Sequence, residues 1–278
     1  MSRIAERFAD LKRAERAAFI PFITAGDPDA ETSFAILERL PSAGADLIEL
    51  GMPFSDPMAD GAAIQASSLR ALDAGMTVNG VLDLVRRFRK TDRSTPIVLM
   101  GYFNPIHAHG VERFAASAAS AGVDGLITVD LPPEEDVVLR IPANAHGLDV
   151  IRLATPTTDE RRLAVILNGA EGFLYYVSVA GVTGTKTYEE NDLRSAVRHL
   201  QGQSRVPCAV GFGIRTPEQA GTVAGFADGV VVGSAIVDRI AEGVKNKKPA
   251  VVIVEEAVKF CGALAASMHA SRQASVLG

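Results

Sequence analysis

The feature that most narrows the folds open to this chain is a recurring phrase. A small residue or Gly, followed by an acid, introduces a short apolar run. It stands as Gly44-Ala45-Asp46 before Leu47-Ile48-Glu49-Leu50, as Gly122-Val123-Asp124 before the run at 125–130, and as Gly147-Leu148-Asp149 before 150–153. Gly169-Ala170-Glu171 and Ala227-Asp228 repeat it ahead of 172–178 and 229–234. A Gly just past a helix suits the left-handed conformation that ends it, and a short continuous apolar run suits a parallel strand covered on both faces. The repeated unit is therefore helix, Gly turn and buried strand.

Three more apolar runs, Phe19 to Thr24, Pro96 to Met100 and Val206 to Gly211, bring the candidate strands to eight. Amphipathic segments lie between them, such as Glu31 to Leu40, Val111 to Ala121, Asp159 to Leu167 and Pro217 to Ala224. Strands alternating with helices over 278 residues, without a long linker, predict an α/β protein, a (β/α)8 TIM barrel in one domain over 1–278. Spacing alone does not show closure, so a doubly wound open sheet is the alternative. Ser2 ahead of Ile4, Phe8 and Leu11 at helical spacing predicts an extra N-terminal helix, not a signal peptide. Pro249 to Met268 reads as the last covering helix, with 269–278 a frayed tail.

Composition removes several functional classes. A formal net charge of -5 argues against a nucleic-acid surface. The basic cluster Arg86, Arg87, Arg89 and Lys90 falls where a helix should end, where cations complement the helix dipole. Cys208 and Cys261 are the only cysteines, too few for a disulfide framework, and fit a reducing cytoplasm. No apolar stretch approaches the roughly 20 residues of a membrane span. His107 and His109 have no further ligands at metal-binding spacing, so no metal site is expected. Nucleophile-elbow, P-loop and dinucleotide fingerprints are missing; Thr216 stands where the last would need its third Gly.

In a barrel, chemistry sits at the C-terminal ends of strands and in the loops that follow. Glu49, between apolar neighbours near the end of the second strand, is a carboxylate that burial should push toward a neutral pKa, which suits an acid/base. Alternatively it is a structural acid bonded to a backbone N–H. The loop 52–61 adds Asp56, read as a turn residue or helix N-cap, and Asp60, placed to face Glu49 across a substrate. The glycines of Gly181-Val182-Thr183-Gly184 form an anion cradle or a mobile lid. Gly211-Phe212-Gly213 and Gly233-Ser234 follow strands seven and eight, where such barrels bind phosphate.

Together these residues resemble the tryptophan synthase alpha subunit family over nearly the whole chain. The run from Phe22 to Pro28, the segment from Leu47 to Gly61 with Ile64-Gln65, Gly211 to Ile214, and Gly233 to Ala235 carry the likeness. The resemblance implies aldol cleavage of indole-3-glycerol phosphate to indole and glyceraldehyde 3-phosphate, with no cofactor in this chain. It implies Glu49 as acid/base and Asp60 as the partner of the indole N–H. Phe22, Met100, Tyr102, Ile127, Val129 and Tyr175 would form the indole pocket and its surroundings, with core packing as the other reading of the aliphatic ones. Thr183 would close over the substrate, and Gly184, Phe212, Gly213, Gly233 and Ser234 would hold phosphate. It further implies a beta subunit carrying pyridoxal phosphate, two alpha with two beta chains, meeting the loop Pro53 to Met58 with Asn104, Pro105 and Pro132. A stand-alone indole-releasing lyase and a non-catalytic activator subunit are the competing readings.

Overall fold

The computed structural model describes residues 2–178, 190–211 and 213–276. The apolar runs form strands β1 (Ala18–Thr24), β2 (Ile48–Gly51), β3 (Ile97–Gly101), β4 (Gly125–Thr128), β5 (Asp149–Val150), β6 (Arg152–Ala154), β7 (Leu174–Val177), β8 (Cys208–Gly211) and β9 (Gly229–Val232). They form one sheet in the order β5-β4-β3-β2-β1-β9-β8-β7-β6, with all pairings parallel. The fifth of the eight expected strands is thus in two pieces. Its first piece pairs with β4 and its second with β7. Strands in a closed barrel are staggered, so one strand meets its two neighbours at different heights. Only Ile151 separates β5 from β6, and the sheet closes there into a TIM barrel.

The acid of the recurring phrase has a physical job that sequence alone did not disclose. Asp46 accepts the backbone N–H of Phe19 at 3.0 Å, Asp124 that of Ile97 at 2.8 Å, Glu171 that of Val150 at 3.1 Å, and Asp228 that of Cys208 at 2.9 Å. Each acid reaches back from the start of its strand and satisfies an amide at the start of the preceding one. Such amides are costly to bury unpaired. Gly44, Gly122 and Gly169 make the turns before three of these acids with φ between +87° and +97°, while Gly147, with φ of +74°, precedes Asp149, which accepts from Ser2 instead.

The helix Arg3–Arg13 plugs the same end of the barrel. Ser2 caps it, accepting from the Ala5 amide and donating to Asp149. Its Ile4, Phe8 and Leu11 join the interior set of Leu47, Val98 and Phe173, with the Phe8 and Phe173 rings 5.7 Å apart. Arg89 does more than complement a helix dipole: it bonds the Gly122 and Thr95 carbonyls and the Asp124 carboxylate, joining three segments. The last helix spans Ala250–Val276, beyond the Met268 to which the sequence reading carries it. It packs on the helix Pro217–Ala224, where Gly221 leaves room for Ser267, and Arg16 meets the His269 ring.

One buried polar knot on the β6 side yields a stability prediction. Arg152 is 6% exposed, bonds Asp136 and donates to the carbonyls of Val165, Ile166 and Asn168, closing the end of the helix Glu160–Leu167. Arg152→Met leaves Asp136 buried with Arg140 as its remaining ion partner. Stability in urea should fall by about 3 kcal/mol, the low end of the range for breaking a buried pair. An unchanged midpoint would mean that Arg140 and water compensate fully.

Candidate active site

Alternation along the strands divides their side chains between the barrel interior and the helix layer. Tyr175 belongs to the interior set and Tyr176 to the outer core, as their adjacency predicts. Glu49 lies on β2, level with Phe22 on β1 and Val98 on β3. It is 1% exposed, and its Oε1 has no hydrogen-bond partner among the described residues. Burial pushes its pKa to about 8, with the charge of Asp60 adding to the rise. A buried carboxyl with an unsatisfied oxygen is therefore held near the middle of the accessible proton-transfer range.

Asp60 comes from the loop after β2, one residue before the Gly61 that opens the helix Ala62–Asp73. Gly61 makes no side-chain cap, and neither Asp60 nor Asp56 takes the N-cap position. Asp56 serves the turn reading instead, with its carboxylate accepting from Ser55 and its carbonyl from the Met58 amide. Burial raises Asp60 to about 6, while a hydrogen bond from Tyr102 works in the opposite direction. The Tyr102 oxygen accepts from the Ala59 amide at 2.9 Å, which leaves its hydrogen for the carboxylate. The two carboxyls thus sit in environments that separate their pKa values.

Tyr175 shares their field. Burial first, then the charges of Glu49 and Asp60, hold its phenol well above its ordinary pKa, so it keeps its proton. The ring has space because Gly211 has no side chain: a Cβ there would lie 2.2 Å from the Tyr175 hydroxyl oxygen. The sequence groups Gly211 with the phosphate-loop glycines, and the fold also makes it the seat of this tyrosine.

At the C-terminal mouth is a small cavity. Phe22, Asp60, Met100, Tyr102 and Val129 line it, as the sequence reading grouped them. Thr24, Ile64 and Ser68 also line it, and sequence reasoning gave none of them a role. The available signal was spacing, because Ile64 and Ser68 are four apart and share a helix face. Ile127 is fully buried among the interior residues and is not on the wall. Glu49 is not among the lining residues but pairs in register with Phe22, which is, and Tyr175 is buried with the interior set.

Gly233 precedes the helix Ser234–Lys245 and provides no side-chain cap, the arrangement an anion site at a helix start would use. A Cβ at Gly233 would come 3.3 Å from that of Phe22, which puts this helix start against the cavity wall. Gly213 has φ of +76°. Thr183, Gly184 and Phe212 lie outside the described residues. His107 and His109 belong to the short helix Phe103–His109, where their rings lie against Phe103 and Phe114. Among the described residues no group of three or more His, Cys, Asp or Glu could hold a metal ion.

The family model described as tryptophan synthase alpha chain matches residues 8–268. Tryptophan synthase subunit alpha from Legionella pneumophila str. Paris is 43% identical, with a TM-score of 0.88 over 99% of each chain. A tryptophan synthase alpha chain from Legionella pneumophila subsp. pneumophila is 41% identical, with a TM-score of 0.88 over 96% of this chain and 97% of that one. Tryptophan synthase from M. tuberculosis in an open form is 33% identical, with a TM-score of 0.85 over 97% and 99%.

Proposed function

The chain belongs to the tryptophan synthase alpha chain family, and on that premise we propose that Glu49 and Asp60 divide between them the proton and charge work of its reaction. That reaction is the lyase cleavage of indole-3-glycerol phosphate to indole and glyceraldehyde 3-phosphate, a step in tryptophan biosynthesis. Three things must happen as the bond breaks. The indole carbon bearing the glycerol chain takes a proton, positive charge appears on the ring nitrogen, and the adjacent side-chain hydroxyl gives up its proton as it becomes the aldehyde. The electrons of the broken bond return to the ring.

Glu49, neutral at pH 7 with a pKa near 8, has the proton to give and, once ionised, accepts the hydroxyl proton. It ends the cycle as it began. Asp60, with a pKa near 6, is ionised at the same pH and accepts from the indole N–H as that nitrogen becomes positive. Its field matters because the surroundings are poor in water. Phe22, Met100, Tyr102 and Val129 supply the apolar walls for the ring, backed by Ile127 and Tyr175. Gly213, Gly233 and Ser234, with Gly184 and Phe212, hold the phosphate, and Thr183 closes over the substrate. Phosphate is remote from the breaking bond, so its binding energy serves to orient the reacting end.

The family's partner is the beta subunit. We assign it pyridoxal phosphate and a complex of two alpha and two beta chains, working in the cytoplasm. Among the described residues no helix is long and apolar enough to cross a membrane. Met58, 83% exposed in the loop after β2, together with Asn104, Pro105 and Pro132, offers the docking face. The alpha subunit itself needs no cofactor.

The observation that carries the residue assignment is the buried Glu49 carboxyl, whose Oε1 has no partner among the described residues, within the field of Asp60. Its functional setting is tested by indole release from indole-3-glycerol phosphate, with and without a beta subunit. Slow release that rises when the beta subunit is added is the expected result. Equally fast release without it would make this a stand-alone lyase, and an absence of release in both would leave only the activator reading.

A further inference from the structure

The helix Ala62–Asp73 follows Asp60 directly and presents Ile64 and Ser68 to the cavity. It is held to the barrel in an unusual way for a covering helix. Its buried residues are Ser67, Ser68 and Ala71, while Leu69 is 53% exposed. Burial of so few carbons contributes little, so hydrogen bonds must fix its position.

Two polar attachments do so, both to the C-terminal end of β1. Ser67 donates to the carbonyl of Ile64 at 2.8 Å and lies 2.6 Å from the Thr24 hydroxyl; with its one hydrogen used, it accepts from Thr24. Nearly one turn further along, Arg70 forms a two-pronged pair with Asp27, Nε to Oδ1 at 2.7 Å and Nη2 to Oδ2 at 2.8 Å. The Asp27 side chain is fully buried and that of Arg70 is 23% exposed. The end of β1 is in turn bound to its surroundings, since Ala25 donates to the carbonyl of Gly51 at the end of β2 and Gly26 donates to Ser33. A two-pronged pair fixes angle as well as distance, which a single hydroxyl contact does not.

We propose that Arg70, through its two-pronged pair with buried Asp27, is a positioning residue that sets the helix Ala62–Asp73, and with it Asp60, against the cavity. The proposal rests on the assignment of Asp60 to the reaction. Arg70 touches no reacting atom. It acts by holding the rail on which Asp60, Ile64 and Ser68 are mounted. The groups facing Asp60 are Glu49, Tyr102 and Tyr175, and displacement of the helix alters its distance from each.

The test uses the full chain with its beta subunit and three variants. Arg70→Lys keeps the charge but loses the fork; Asp27→Asn with Arg70→Gln removes both charges and leaves no buried ion; Asp60→Asn tests the underlying assignment. Misplacement remote from the chemistry should lower kcat by about 10- to 100-fold in the double variant and less in Arg70→Lys, with KM changing much less. As Asp60 gains water, the acid limb of kcat/KM should also move to lower pH. Wild-type kcat and an unmoved acid limb in a folded double variant, alongside an inactive Asp60→Asn, would overturn the proposal and leave the assignment of Asp60 standing. An active Asp60→Asn would remove the assignment itself. If the double variant does not fold, the same comparison on Arg70→Lys decides, because a merely structural pair would lower thermal stability without moving kcat or the acid limb.

Discussion

Glu49→Gln should lower indole release by about 100- to 10,000-fold, the range a positioned acid/base contributes, with little change in substrate binding. The amide has nearly the same shape but neither gives nor takes the proton. Stability should not fall with activity. The wild-type carboxyl rises from 4.5 to about 8 on folding, so the folded state binds the extra proton between those values. Stability linked to Glu49 is therefore fully present below pH 4.5 and is lost as pH rises through 8. At pH 7 the unfolded chain's preference for ionisation opposes folding by about 3 kcal/mol, at 1.36 kcal/mol per pH unit. The Gln variant escapes that term and incurs instead the roughly 1–3 kcal/mol of a buried amide without partners. Its melting temperature at pH 8 should equal or exceed that of the wild type. Activity near wild type would remove Glu49 from the reaction, and a large drop in melting temperature would make the lost activity a folding effect.

Asp60→Asn should be nearly as severe, about 100- to 1,000-fold in kcat, the loss found when one preorganised electrostatic contact to a developing charge is removed. Its pH signature separates it from a simple loss of binding. In the wild type, kcat/KM should be bell-shaped, rising as Asp60 ionises near pH 6 and falling as Glu49 ionises near pH 8. The Asn variant has no acid limb from position 60. Its alkaline limb should move to lower pH, because a nearby negative charge no longer opposes ionisation of Glu49. Burial, the larger cause of the raised Glu49 value, remains, so the limb should stay well above 4.5. An alkaline limb that does not move would mean that the two carboxyls do not sense one another.

The two effects are linked through Tyr102 and Tyr175. The Tyr102 hydroxyl stabilises the ionised Asp60, while the protonated Tyr175 is buried in the field of both carboxyls. Neither tyrosine supplies a countercharge, so the carboxyls keep unequal pKa values rather than both falling to ordinary ones.

The sequence by itself determined the repeating helix, turn and strand unit, because a Gly after a helix and an apolar run after an acid are local rules of backbone and burial. It also determined the N-terminal helix and the inward and outward alternation of Tyr175 and Tyr176, and it singled out Glu49 as a candidate, since a carboxylate inside an apolar run announces its own desolvation, and Asp60 by its place in the loop that follows. Closure of the barrel was decided only in three dimensions, by β5 and β6 pairing with different neighbours. The role of the recurring acids was decided there too, because the amide each accepts lies roughly 20 to 30 residues away. That Gly211 seats Tyr175 and that Arg70 pairs with Asp27 were likewise decided there. These are contacts between segments remote in the chain, and local propensity carries no record of what a side chain will meet once the strands have found their register.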